Sequence, residues 1–105
     1  MVQMFIGSLL HPEVGDIVER YRLNDNRLVG VFLVTEADNP VDAWGNERRD
    51  VIRVTCMFND DLGTRYSMYK TVNPGDSTWI HTVHLMDHWN AEESGMSHCY
   101  KIRKK

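Results

Sequence analysis

Histidine side chains are the first candidates for chemistry, because three of them lie close together late in the sequence. His81, His84 and His88 have the spacing His-x-x-His-x-x-x-His, and a His98-Cys99 pair follows. Imidazole nitrogens and a thiolate are ligands that zinc prefers, and on a helix this spacing would bring the three rings to one face. The intervening residues favour extended chain instead, which places His81 and His84 on opposite sides, and the spacing matches no common zinc pattern. We therefore treat the three as weak metal candidates and predict ordinary surface or half-buried histidines, with no metal and no cofactor.

Other patterns that would support catalysis or cation binding are missing from the sequence. The Asp60-Asp61 pair and the later Asp76 do not follow the order of carboxylates in a calcium-binding loop. No serine lies in a Gly-x-Ser-x-Gly elbow, Cys99 has no identifiable base, and no glycine-rich phosphate loop occurs. We therefore predict that the protein is not an enzyme.

Aromatic residues give a better functional clue. The sequence contains three Trp, four Tyr and three Phe, more than a small domain can bury completely. Trp44 lies in a long irregular segment together with Arg48 and Arg49, and Trp and Arg are frequent among the residues that dominate protein interfaces. Two interpretations stay open. Either Trp79 and Phe58 belong to the core while the other aromatic residues are half-exposed without a function, or Trp44, Arg48 and Arg49 form a protein-binding patch.

Residues 28–36 predict a strand that is apolar on both faces. Alternation places Leu28, Phe32 and Val34 on one face and Val29, Val31 and Leu33 on the other. Such a strand is either covered on both sides or exposed at an interface. Gly30 predicts a bulge or sharp bend, which a closing barrel requires. The face of Val29, Val31 and Leu33 must then be covered by residues 1–13, by the C-terminal extension or by another molecule.

Turn signals divide the rest of the chain into short strands. A first strand entered at 14–18 ends at the turn Asn24-Asp25-Asn26, and a third strand over 50–58 directs Ile52, Val54, Cys56 and Phe58 inward. A hairpin loop at 59–63 leads to a more polar edge strand over 64–71, and a turn follows at 73–76. Residues 90–96 predict a loop, and 99–102 a last short strand. Short strands at spacings near ten residues, with no sustained helical period, predict an all-β barrel or sandwich.

The strand motifs resemble those of SH3-like small barrels. The resemblance rests on Gly15-Asp16-Ile17-Val18, on the apolar run 29–34, on Val51-Ile52-Arg53-Val54, and on Thr78-Trp79-Ile80 closing at His84-Leu85. More narrowly, the pattern is similar to small accessory proteins of tailed bacteriophages. It implies a small SH3-like barrel of five to six antiparallel strands over 14–89, with an N-terminal arm or edge strand at 1–13 and a C-terminal extension at 90–105.

The formal net charge limits the classes of partner that the protein can bind. The chain has 12 basic and 15 acidic residues, a formal charge of −3. Residues 101–105, which we call the basic tail, contain four of the basic residues: Lys101, Arg103, Lys104 and Lys105. The rest of the chain has 8 basic and 15 acidic residues, a formal charge of −7. A body of that sign repels nucleic-acid phosphates, so only the basic tail could contact nucleic acid or an acidic partner.

The sequence composition indicates the cellular compartment of the protein. No stretch reaches the roughly 18 apolar residues of a membrane span, no basic region precedes the apolar start, and two cysteines are too few for a disulfide scaffold. We expect a cytoplasmic protein, including the cytoplasm of an infected host cell, or a virion component.

These expectations favour a non-enzymatic interaction or structural protein, with a phage accessory or virion protein as the setting that the resemblance implies. A protein partner or self-association is expected. Two alternatives stay open: an inhibitor of a host protein that acts through an acidic surface, and a nucleic-acid-binding small barrel.

Overall fold

The computed structural model describes residues 9–60 and 72–105. Within them, five strands form one antiparallel sheet: β1 (Ile17–Arg22), β2 (Arg27–Glu36), β3 (Val51–Asn59), β4 (Ser77–His81) and β5 (His98–Arg103). The strand order is β4-β3-β2-β1-β5. A 3₁₀ turn at Thr82–His84 and a short helix, α1 (His88–Glu93), connect β4 to β5. The predicted all-β, barrel-like fold is confirmed.

The predicted turn at 24–26 connects β1 to β2. Asn26 has a positive φ of 54° there, a conformation that asparagine tolerates better than most residues. The Asp25 carboxylate accepts hydrogen bonds from the Arg22 guanidinium and from the Arg27 backbone N–H. The polar sequence of this turn therefore forms its own hydrogen bonds and fixes the hairpin.

Bulges in the pairing of β2 with β1 and with β3 change which side chains of β2 and β3 point inward. Arg20 pairs with Gly30 but Tyr21 pairs with Leu28, so Val29 has no partner in β1, and it is only 1% exposed. The prediction that Val29 lies on the same face of the strand as Val31 and Leu33 is therefore wrong. A bulge turns one residue out of the strict alternation on which that prediction depended.

The second bulge corrects the prediction for Phe58. Val31 pairs with Phe58 while Phe32 pairs with Cys56, which leaves Met57 as the extra residue of β3. Phe58 therefore shares a face with Val31 and is 41% exposed, whereas Cys56 is 1% exposed as predicted. Beyond the bulge the alternation of β3 has shifted by one residue.

Close packing explains Gly30. A Cβ atom at this position would lie 2.7 Å from the Phe32 ring, inside the van der Waals limit. The ring is fully buried, and it packs in the same core cluster as Leu85. Among residues 9–60 and 72–105, the main core cluster contains nine buried side chains: Val18, Phe32, Val34, Ile52, Val54, Cys56, Ile80, Leu85 and Tyr100.

Residues 88–93 form a helix, so the predicted loop at 90–96 is wrong in its first half. The Asp87 side chain caps the helix by accepting from the Asn90 backbone N–H at 2.9 Å. The buried Ala91 packs with Met86 and Cys99 in a second, smaller cluster. Six residues are too few to show a helical period, and this explains why the sequence pattern missed α1.

The first and last of the described residues pair with other segments of the chain. β5 pairs with β1 along its full length, from Ile17 opposite Arg103 to Arg22 opposite His98, which confirms the predicted last strand. The extension predicted at 90–105 therefore completes the sheet. Residues 9–10 run beside 85–86, where the Leu10 N–H donates to the Leu85 carbonyl at 2.7 Å.

Some predictions fall outside the described residues. These are the structure of residues 1–8, the hairpin loop beyond Asp60 and the edge strand over 64–71. Among the described residues, neither helical segment has the length and apolar character to cross a membrane.

Candidate protein-interaction site

Trp44 lies at the tip of a tight turn between β2 and β3. Val41 and Glu47 form an isolated antiparallel bridge at the base of this turn. Above it, the Asp42 N–H donates to the Asn46 carbonyl at 2.9 Å. Gly45 completes the turn with a positive φ of 83°, which glycine adopts without strain. We call residues 41–47 the Trp44 turn.

The Asp42 carboxylate fixes the conformation of this turn. Its Oδ1 atom accepts hydrogen bonds from the Trp44 N–H at 2.9 Å and from the Asn46 N–H at 3.0 Å. Such aspartate-to-backbone bonds replace those that a regular strand would form. The indole at the tip is 85% exposed. The turn therefore presents a large apolar ring to solvent on an ordered backbone.

Arg48 forms hydrogen bonds to residues on both sides of the Trp44 turn. Its backbone N–H donates to the Pro40 carbonyl at 2.7 Å, and its guanidinium donates to both oxygens of Asp50 at 3.1 Å. The hydrogen bonds from Arg48 lower the pKa of Asp50 below its ordinary value. Arg48 is thus engaged within the chain, whereas Arg49 is exposed.

Trp79 is half-buried on the outer face of the sheet, which corrects the interpretation that placed it in the core. Its ring lies opposite Arg53 in the register of β3 and β4, and the Arg53 guanidinium is 4.2 Å from the ring centroid. The Arg48 guanidinium is 6.0 Å from the same centroid. Arg53 also forms a 3.2 Å ion pair with Glu36. The indole therefore forms cation–π contacts with two guanidinium groups.

The histidines are arranged differently from the prediction. The 3₁₀ turn brings the rings of His81 and His84 to 5.9 Å, whereas extended chain would have separated them. Burial lowers the pKa of His84, and His81 and the Arg20 charge lower it further. His88 lies on α1, 3.7 Å from Glu92. Within residues 9–60 and 72–105, no three metal-ligating side chains come together.

The predicted interaction residues of β2 are divided between the interior and the surface. Val29 is buried and unavailable to a partner, while Val31 and Leu33 are half-buried on the outer face. Phe58, the partner of Val31 in the register, adds exposed apolar surface beside them. Trp89, which is 65% exposed on α1, is a further accessible aromatic ring.

All four cations of the basic tail contact the chain itself. The Lys101 ammonium lies 4.8 Å from the centroid of the Tyr21 ring, and Arg103 is 3.5 Å from Glu19. Lys104 and Lys105 contact Asp16 and its neighbours. The ion pairs with Glu19 and Asp16 partly offset the charges of Arg103 and Lys104. Sequence reasoning missed them because acids and cations lie at opposite ends of the sequence.

Neither a protein-family model, nor a curated protein, nor a solved structure matches this chain. The function is therefore inferred from the geometry of the site. The Trp44 turn is its most distinctive feature, since an exposed indole and an ordered backbone occur at the same residue.

Proposed function

We propose that this protein is a non-enzymatic interaction module whose Trp44 turn inserts into an apolar pocket of a protein partner. The observation that carries the proposal is the 85% exposure of Trp44 on a turn fixed by Asp42. From the resemblance of its strand motifs to small accessory proteins of tailed phages, we further propose a phage accessory or virion protein as the setting.

Energetic arguments support an anchoring role for Trp44. Burial of a tryptophan at the centre of an interface is worth about 2 kcal/mol or more when the residue is a hot spot. The two hydrogen bonds to Asp42 already order the backbone of the turn, so binding need not order it again. Val41, 47% exposed at the base of the turn, extends the apolar surface.

The described contacts give less support to the two alternatives. An acidic inhibitor needs a negatively charged surface, and the carboxylates of Glu19, Glu36 and Asp50 are each partly offset by a cation within 4 Å. A nucleic-acid-binding barrel needs cations grouped for phosphate contact, and in the basic tail Arg103 and Lys104 are already ion-paired with Glu19 and Asp16.

Comparative capture tests the proposal. The wild-type protein, Trp44→Ala and the control Trp89→Ala would be immobilised and exposed to a lysate of phage-infected host cells. Trp89 is the matched control because it is also an exposed tryptophan, at 65%, on a different element. We expect one partner to be retained by the wild type and by Trp89→Ala and lost by Trp44→Ala.

Titration with the purified partner then measures how much affinity the substitution removes. We expect Trp44→Ala to weaken binding by roughly 30-fold, which corresponds to about 2 kcal/mol. In a variant with Trp44 as its sole tryptophan, fluorescence should shift to shorter wavelength as the indole leaves water. Equal capture by all three proteins, or an unchanged Kd for Trp44→Ala, would contradict the proposal.

A further inference from the structure

Asp16 is a charged side chain that its neighbours cover almost completely, and this is unusual for a carboxylate. It is only 1% exposed. Its Oδ2 atom accepts hydrogen bonds from the Glu13 backbone N–H at 2.8 Å and from the Lys104 ammonium at 2.9 Å, and its Oδ1 atom accepts from the Lys105 backbone N–H at 3.3 Å. A buried carboxylate requires such donors, and two of the three come from consecutive lysines.

The turn at residues 13–16 also contacts the side chain of the second lysine, Lys105. The Lys105 ammonium donates to the Val14 carbonyl at 2.8 Å. Its aliphatic stem passes over Gly15, where a Cβ atom would lie 2.7 Å from the Lys105 Cδ. Gly15 has a positive φ of 94°, so glycine satisfies both the backbone conformation and the close approach.

A second carboxylate adds to the charge of the site. Glu13 Oε1 lies 3.6 Å from the Lys104 ammonium. The turn is anchored to the sheet, because the Gly15 N–H donates to the Val34 carbonyl at 2.9 Å and the Val34 N–H donates to the Asp16 carbonyl at 3.0 Å. The carboxylates and the Val14 carbonyl are thus held on a rigid element.

We propose that residues 13–16 form a binding site for two consecutive lysines, and that Lys104 and Lys105 fill it as an intramolecular ligand. An outside Lys-Lys segment must displace these residues to bind. The site recognises ammonium groups at two positions, one at the Asp16 and Glu13 carboxylates and one at the Val14 carbonyl. It is independent of the Trp44 turn.

Peptide titration tests this site directly. The full chain carrying Lys104→Ala and Lys105→Ala would be titrated with acetyl-Lys-Lys-amide, and the backbone amide signals of Gly15 and Asp16 followed by NMR. We expect saturable shifts of these signals. Acetyl-Ala-Ala-amide should cause none, and the wild type should respond far more weakly because its own lysines are present at high effective concentration.

Two controls separate the site from general charge attraction. Asp16→Asn in the same background keeps the shape of the side chain, and we expect it to weaken peptide binding about tenfold or more. Trp44→Ala in that background should bind the peptide unchanged. Absence of saturable shifts, or equal affinity with Asp16→Asn, would overturn the proposal.

A measurement on the wild type keeps the test valid if Asp16→Asn fails to fold. Acetic anhydride modifies free amines, and contact with Asp16 raises the pKa of Lys104, which lowers the fraction of reactive neutral amine. We expect Lys104 to be acetylated several-fold more slowly than the exposed Lys101, by mass spectrometry of digests. Equal rates at the two lysines would contradict the site.

Discussion

The guanidinium of Arg53 lies 4.2 Å from the ring centroid of Trp79, directly opposite it in the register of β3 and β4. This pair packs on the outer face of the sheet, next to the segment that supports the Trp44 turn. We expect Arg53→Ala to lower the free energy of unfolding by about 0.5–1 kcal/mol, because a cation–π contact at a partly exposed site has that magnitude. Urea denaturation measures it. Arg49→Ala, an exposed arginine in the same region, should stay within about 0.5 kcal/mol of wild type.

Asp42→Ala tests the order of the Trp44 turn. The substitution removes the oxygen that accepts from the Trp44 and Asn46 N–H groups. We expect both amides to exchange faster with solvent, while the free energy of unfolding falls by about 1 kcal/mol or less. Hydrogen exchange followed by NMR measures the first effect. Asp38→Ala, a nearby exposed aspartate, should leave both amides unchanged; the same result for Asp42→Ala would show that the turn is ordered by other contacts.

Acid should destabilise the protein through Asp16. The backbone hydrogen bond from Glu13, followed by the bond from Lys104, lowers the pKa of Asp16 below its ordinary value. A lowered carboxylate pKa contributes stability that is present above the pKa of the unfolded chain and is lost as the pH falls through the folded-state value. The destabilisation caused by Asp16→Asn should therefore be largest near neutral pH and shrink below about pH 4.

Denaturation midpoints of wild type and Asp16→Asn between pH 7 and pH 2 measure this difference. Asp38→Asn serves as the control, and it should differ little from wild type at any pH. A difference between wild type and Asp16→Asn that stays constant down to pH 2 would show that ionisation of Asp16 does not stabilise the fold.

The outer face of β2 should be sensitive to charge at Val31. This residue is half-buried, and it lies opposite Phe58 in β3 and Glu19 in β1. We expect Val31→Asp to destabilise by about 1–3 kcal/mol, because it places a carboxylate beside Glu19 and removes an apolar cross-strand pair. Thr35→Asp, on an exposed position of the same strand, is the matched control. Equal chemical-denaturation midpoints for the two variants would show that this face bears no structural role.

The two cysteines should be unreactive in the folded protein. Cys56 and Cys99 are each 1% exposed, and burial raises the pKa of both thiols. We expect Ellman's reagent to react slowly without denaturant and to titrate two thiols per chain in guanidinium chloride. Fast reaction of either cysteine under native conditions would indicate local opening of the strand that carries it.

Local patterns were sufficient to predict most strands of the fold. Alternating apolar residues located β2 and β3, and the polar turn at 24–26 was visible because Asn and Asp form their own turn hydrogen bonds. The side of the sheet to which each side chain points was harder to predict. Gly30 indicated the bulge in β2 but not that Val29 would be the extra residue, and the bulge at Met57 has no sequence signal, so Val29 and Phe58 were placed on the wrong sides.

The candidate site was predictable only in part. Trp44 was one of the candidate interaction residues, and the Asp42-to-Gly45 spacing is a turn signal that could have predicted its exposure at the tip of a turn. The sequence could not show that Arg48 is engaged within the chain, because this depends on its pairing with Asp50 and its approach to the Trp79 ring. Asp16 gave no signal, because its partner lies 88 positions away.

The pairing of β1 with β5 affects the order in which the chain can fold. β1 and β2 are neighbours in sequence and can form a hairpin early, but the other edge of β1 stays open until residues 98–103 arrive. During synthesis on the ribosome this edge is exposed while most of the chain is made, and unpaired strand edges promote association between chains. Closure over so long a separation is also slow. We therefore expect the pairing of β5 with β1 to be the last step of folding and the step most sensitive to aggregation.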